Sequence, residues 1–337
     1  MTLDIEKTSQ KTTLKSPLKS WGGFVIGMLI LGIAARVISA EGYYNSLINA
    51  GFLFGGLAAA WNILGGFCGQ FSFGHAVFVG IGAYSVALTK TDHDLGTIPG
   101  IILGIMISIA VAIAISWPLF RLRGSFFAIG TLAFSEVALS LALYFTWTKG
   151  ALGIQIPFDR LPIVDQKVWL LVFFAYLVFC MGASLFIIRG RLGYYMISVR
   201  DDEATAAASG INPLTIKTIA FAISASLTSL GGSLYVLYLG NLDPRAFLST
   251  LEIGAFIPLL ALIGGLGTVF GPFLGALFLE PGQMYLRGQF AGSLAGISQG
   301  TVGIILILAA LYFRQGFWGA LKQFGKWILK IVKGANK

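Results

Sequence analysis

Runs of about twenty apolar residues, parted by short polar loops, recur along this 337-residue chain, and they decide the solvent in which it folds. A hydrocarbon core about 30 Å thick takes about 20 apolar residues per helical crossing, so the chain has room for roughly eight to ten with short loops. Only 11% of its residues are charged, against roughly a quarter in water-soluble domains. The expected fold is therefore an all-α polytopic membrane protein forming one membrane domain. Cys68 and Cys180 lie in or beside apolar segments with no partner at metal-ligand spacing, so no disulfide scaffold, metal site or cofactor is implied. A net charge of +9 would suit nucleic acid, but the basic residues fall where a membrane topology puts them, and nucleic acid is set aside as a partner.

Residues 1–20 form a polar tail carrying Lys7, Lys11, Lys15 and Lys19. The apolar run 21–40 is too long for a cleaved signal and reads as an uncleaved first crossing. Further runs cover 46–64, 71–89, 98–120, 125–147, 168–188, 217–239, 253–279 and 299–313. Splitting 253–279 at Gly264-Gly265 gives ten crossings, and counting it once gives nine. With ten, sixteen lysines and arginines lie on the inner side and six on the outer, which puts both termini in the cytoplasm. The expected organisation is a cytoplasmic tail 1–20, a transmembrane domain 21–313 with an inner loop 189–216, and a basic helix 314–337, in the cell inner membrane. In that last segment Phe317, Leu321, Phe324, Ile328 and Ile331 recur opposite Lys322, Lys326, Lys330 and Lys333. The spacing predicts an amphipathic helix in the inner interface of the bilayer.

Two glycine-rich stretches interrupt the helical pattern: Gly65 to His75, and Gly264 to Pro272. Non-helical backbone at membrane depth must be buried in protein or face a water-filled cavity. A solute path and a pair of cytoplasmic turns both remain open as explanations. Glu136, near the middle of the 125–147 run, costs about 2.5 to 3.5 kcal/mol in lipid, so it is expected to face the bundle interior with Ser140 one turn away. Asn62, Gln70, Ser72, His75 and Glu136 are the polar candidates for a translocation path. For His75 and Glu136 the plainer alternative is a satisfied packing residue.

The inner loop holds Arg200-Asp201-Asp202-Glu203, an alanine-rich run and then Gly210. Acidic residues at the positive end of a helix, a glycine at its stop and Pro213 beyond predict a short capped helix suited to docking a partner. No phosphate-cradling Gly-x-x-x-x-Gly-Lys-Ser/Thr pattern occurs, so nucleotide chemistry belongs to another subunit. No serine, histidine and carboxylate set and no paired catalytic carboxylates support an enzyme.

The blocks Asn62-Ile63-Leu64-Gly65-Gly66, Gly69 to Ala76, Gly80 to Tyr84, Arg121 to Ile129, Thr131 to Phe134, Arg200 to Glu203 with Gly210-Ile211-Asn212, and Gly264 to Gly267 with Phe270-Gly271-Pro272 occur in one order along the chain. From Leu57 to Phe313 it resembles the LivM-type permease subunits of high-affinity branched-chain amino-acid ABC importers, whose relatives carry urea, amides and other amino acids. The resemblance implies an ABC importer permease fold with discontinuous helices. It also implies a membrane dimer, usually with a second homologous permease, two cytoplasmic ATPases and a periplasmic solute-binding protein. The loop with Arg200, Asp201, Asp202, Glu203 and Gly210 is then the counterpart of the ATPase-coupling motif, although Thr205 stands where that motif has an alanine. Which solute is carried, and whether the partner permease is a copy or a homologue, stay open at this level. So does an ion-coupled secondary transporter, which would need more intramembrane charge than Glu136 supplies.

Overall fold

The computed structural model describes residues 27–28, 31–33, 42–92, 96–122, 124–163, 165–290 and 300. Its helices in order are α1 (Gly42–Asn62), α2 (His75–Thr91), α3 (Thr97–Leu119), α4 (Ser125–Tyr144), α5 (Gln166–Arg189), α6 (Arg191–Asp201), α7 (Glu203–Ala208), α8 (Pro213–Leu239), α9 (Pro244–Phe247), α10 (Phe256–Gly265) and α11 (Gly271–Phe290). A π-helical turn, Ile63–Phe67, prolongs α1, and another, Thr250–Ala255, leads into α10. Six helical segments among the described residues are long and apolar enough to cross a membrane: Gly42–Phe67, Thr97–Leu119, Ser125–Tyr144, Val168–Arg189, Pro213–Leu239 and Pro244–Gly265.

Successive passes alternate in direction, so sequence-distant loops gather at two ends. At one end Asn62 meets Thr268 and Lys217 meets Glu203. At the other, strands β1 (Ile154–Gln155) and β2 (Asn241–Leu242) pair antiparallel, and Lys149 lies 3.3 Å from Asp92. Among the described residues, the loops at Phe120 and Glu203 lie at the first end, and those at Asp92, Lys149, Arg160 and Asn241 at the second.

The bundle is built on α2 and α8, which pack against each other and against α3, while α1 packs on α5, α8 and α11. Glycine permits the closest of these crossings: a Cβ on Gly82 would strike the Ser229 carbonyl, and one on Gly232 the Val79 carbonyl. Peripheral α3 buries Gly100, Gly104, Ser108, Ala112, Ser116 and Leu119, and leaves Ile98, Ile102, Met106, Ile113 and Trp117 exposed. Small residues inward and large apolar ones outward suit a helix whose outer face is wetted by lipid.

Three sequence expectations need adjustment. The run 71–89 becomes helical only at His75, because backbone groups of the preceding residues are taken by side chains from other helices. The run 253–279 is broken at 266–270, after Gly265, and its helix enters through the π-helical turn. In the inner loop the short helix with an acidic start is present as α7, capped by Asp202, but a second helix, α6, runs up to it and takes Arg200 and Asp201. The tail 1–20, most of the first crossing 21–40, the last crossing 299–313 apart from residue 300, and the basic helix 314–337 lie outside the described residues.

Candidate functional site

The two glycine-rich breaks meet. Asn62, 1% exposed, donates from Nδ2 to the Thr268 carbonyl at 2.9 Å and accepts from the Gly267 amide at 2.9 Å, so one amide side chain fastens both. Gly66 faces this clamp so closely that a Cβ there would clash with Asn62 Oδ1 and the Gly267 nitrogen. The first break then turns back among the helices as a non-helical segment, 68–74. Its backbone is satisfied by side chains: Trp61 Nε1 donates to the Ser72 carbonyl (2.7 Å), Thr131 Oγ1 accepts from the Phe73 amide (3.0 Å), Ser135 Oγ donates to the Phe73 carbonyl (3.3 Å), and Ser72 Oγ accepts from the Gly74 amide (3.1 Å). Irregular backbone within a bilayer protein is stable only when its polar groups are bound in this way.

His75 is fully buried, with Nε2 2.7 Å from Ser224 Oγ, which in turn donates to the Ala60 carbonyl at 2.8 Å. This relay ties α2, α8 and α1 together. Ser224 lies about 16 Å into α8 at 1.5 Å per residue, so the start of α2 sits well inside the bundle. The Gln70 amide donates to the Leu64 carbonyl at 3.1 Å, and its side chain is half-buried. Of the five path candidates, Asn62, Ser72 and His75 are consumed by these internal bonds, and Gln70 lies between them.

Glu136 does not join them. It lies on the exposed face of α4, as does Ser140, whereas α4 buries Phe127, Thr131, Ser135 and Ala142. The expectation that Glu136 faces the bundle interior is thus corrected, because Thr131 and Ser135 occupy the inward face to serve the Phe73 backbone. The described residues give its carboxylate no partner.

The inner loop stands against this junction. Asp202 caps α7, accepting from the amides of Ala204 (2.9 Å) and Thr205 (3.2 Å) and from the Thr205 hydroxyl (2.7 Å). The Thr205 hydroxyl, with those amides, holds the carboxyl of Asp202 below the usual carboxylate range. Gly210, at φ +87°, turns the chain into α8, whose cap is Asn212 with Pro213 at its first position. Glu203 reaches Lys217 of α8 at 2.6 Å, and Lys217 is 4% exposed. Arg200 turns toward the breaks, its Nη1 3.2 Å from the Gly66 carbonyl. Asp201 holds that guanidinium by two bonds, of 3.0 and 2.9 Å.

Trp61, Ser135, Ser224 and Lys217 were not singled out from sequence, and Thr131 and Thr268 were only members of longer blocks, yet all six build the junction. Thr131 and Ser135 carry a local signal, being hydroxyls one helical turn apart within an apolar run. The others acquire their roles through contacts between distant segments. Among the described residues no group of three or more His, Cys, Asp or Glu residues could hold a metal ion.

A protein family described as branched-chain amino acid transport system / permease component matches residues 43–313. The chain is 28% identical to the high-affinity branched-chain amino acid transport system permease protein LivM of Escherichia coli (strain K12), over 93% of this chain and 78% of the relative. It is 29% identical to the LivM protein of Salmonella typhimurium (strain LT2), over 87% of this chain and 74% of the relative. A shorter stretch, 39% of this chain and 37% of the relative, is 29% identical to the ribose import permease protein RbsC of Haemophilus influenzae. No solved structure matches the chain.

Proposed function

This chain belongs to the family of branched-chain amino acid transport system permease components, and from that premise we propose that it passes branched-chain amino acids or similar small polar solutes through the inner membrane as the permease subunit of an ATP-binding-cassette importer. It is an integral inner-membrane protein. ATP hydrolysis falls to a partner subunit, since this chain has no phosphate-binding loop. The partners in this reading are a second homologous permease, two cytoplasmic ATPases and a periplasmic solute-binding protein. Ten crossings with both termini in the cytoplasm complete it, the first from 21–40 and the last from 299–313.

The junction carries the reading: a capped loop at one end of the bundle is bonded to the first break through Arg200 and to α8 through Glu203, and Asn62 fastens the first break to the second. Asp202, Glu203 and Gly210, with Arg200 and Asp201 behind them, form the element that an ATPase would move. Because Asn62, Ser72 and His75 are spent on internal bonds, they serve as scaffold for the path, and the solute runs along the outward face of α4 past Glu136 and Ser140. A carboxylate on that face costs about 2.5 to 3.5 kcal/mol against lipid, which favours a second permease over lipid as its cover.

The double variant Glu203→Lys, Gly210→Trp tests the coupling. It should remain in the membrane while losing co-purified ATPase or solute-stimulated hydrolysis. Normal values of both would return the loop to the status of a connector, and uptake requiring an ion gradient in place of ATP would replace the importer by a secondary transporter.

A further inference from the structure

Arg200 occupies the last turn of α6, immediately before the chain breaks at Asp202. Its side chain is 36% exposed: Nε and Nη2 bond the exposed Asp201 carboxylate, and Nη1 faces the breaks. Nη1 donates to the carbonyl of Gly66, in the π-helical turn that ends α1, where carbonyls lack intrahelical partners and a cation is favoured. Its aliphatic stem lies on Gly69, at φ +72°, so closely that a Cβ there would come within 2.5 Å of Arg200 Cγ. On the other side a Cβ at Gly267 would stand 3.2 Å from the Gly66 carbonyl oxygen and 3.3 Å from Arg200 Nη1. One arginine side chain therefore bonds the end of α1, packs its stem on the segment 68–74 and stands beside the turn 266–270, while Asp201 fixes its fork from behind.

We propose that Arg200 is the positioning residue that carries displacement of the α6–α7 loop into both glycine-rich breaks, so that they shift together. Resting on the coupling role given to this loop above, the proposal adds the route by which motion leaves it. A planar fork can hold the Gly66 carbonyl and the Asp201 carboxylate at once, which a lysine ammonium on a flexible stem does poorly. The stem fills the space that glycine leaves at position 69, so sideways motion of α6 pushes on that backbone. The Asn62 clamp then passes the shift to Gly267 and Thr268.

A native reporter stands at the site. Cys68 is fully buried beside Gly69, so an alkylating probe reaches it only when the break opens. Cys180, fully buried in α5, serves as the internal control. The experiment uses the assembled importer in inside-out vesicles, with N-ethylmaleimide as probe and mass spectrometry of this chain's peptides as readout. In the wild type, trapping with ATP and vanadate should change the Cys68 alkylation rate by about fivefold or more, the scale of a typical coupling energy. In Arg200→Ala the change should fall below about twofold, with Cys180 unaltered and the ATPase still co-purifying. Arg200→Lys should also lower it, and supplies the comparison where the alanine variant does not accumulate. A wild-type ratio retained in these variants overturns the proposal, as does a wild-type Cys68 rate indifferent to trapping. Absence of ATPase from the wild-type preparation would overturn the docking reading and this one with it, and co-purification tells that failure from failure of the Arg200 link alone.

Discussion

His75 is held through one ring nitrogen alone: Nε2 meets Ser224, whereas Nδ1 is buried without a partner among the described residues. The Ser224 hydroxyl is therefore the group on which the imidazole depends, and it is committed in turn to the Ala60 carbonyl. Replacing it by alanine leaves a buried polar ring wholly unsatisfied, which costs about 1 to 3 kcal/mol. We expect Ser224→Ala to lower the Tm of the detergent-purified permease and Ser224→Thr to restore most of it. An unchanged Tm in Ser224→Ala would mean that the relay does not anchor α2. Asp202 behaves differently because it is fully solvent-exposed. Its depressed pKa means that the cap it supplies is present above the ordinary carboxylate range and is lost only as pH falls below it.

At the scale of elements, α4 separates two kinds of polar residue. Thr131 and Ser135 point inward and hold the Phe73 backbone, so they are structural. Glu136 follows Ser135 directly, yet lies on the opposite face with Ser140, among exposed Ile129, Leu132 and Val137. Removing its charge leaves the bonds within the bundle intact. Glu136→Gln should therefore accumulate at the wild-type level while slowing uptake by about tenfold, the effect of losing one charge contact worth about 1.4 kcal/mol. Uptake at the wild-type rate would take Glu136 out of the solute path. A loss of accumulation with no change in transport per molecule would instead make it a packing residue.

For the whole molecule, the gathering of loops at two ends makes a prediction about sides. Leu152, 95% exposed, lies at the end that holds the β1–β2 ribbon, and Ser209 lies in the loop at the other end. In intact cells a membrane-impermeant maleimide should label Leu152→Cys and spare Ser209→Cys, and the pattern should reverse in inside-out vesicles. Labelling of both from one side would overturn the orientation. The membrane class, several of the crossings and the capped helix of the loop were legible from sequence because each rests on a local quantity: apolar length, and the capping pattern around Asp202, Gly210 and Pro213. The resemblance in block order was legible as well, and the family match over 43–313 agrees with it.

What composition and spacing could not supply is which face a side chain takes once helices pack. Nothing local distinguishes Ser135, which turns inward, from Glu136 beside it, because that choice was made by the Phe73 carbonyl arriving from another segment. Nothing local reveals that Asn62 would span to Gly267, or Arg200 to Gly66, since those bonds join residues more than a hundred positions apart. The sequence by itself determined a chain that must fold in a bilayer, with two places where its helices break. The tertiary structure alone decided that the two breaks share the Asn62 clamp and that Arg200 bonds the first of them, because buried backbone groups in a membrane protein take whatever partners the packing brings within reach.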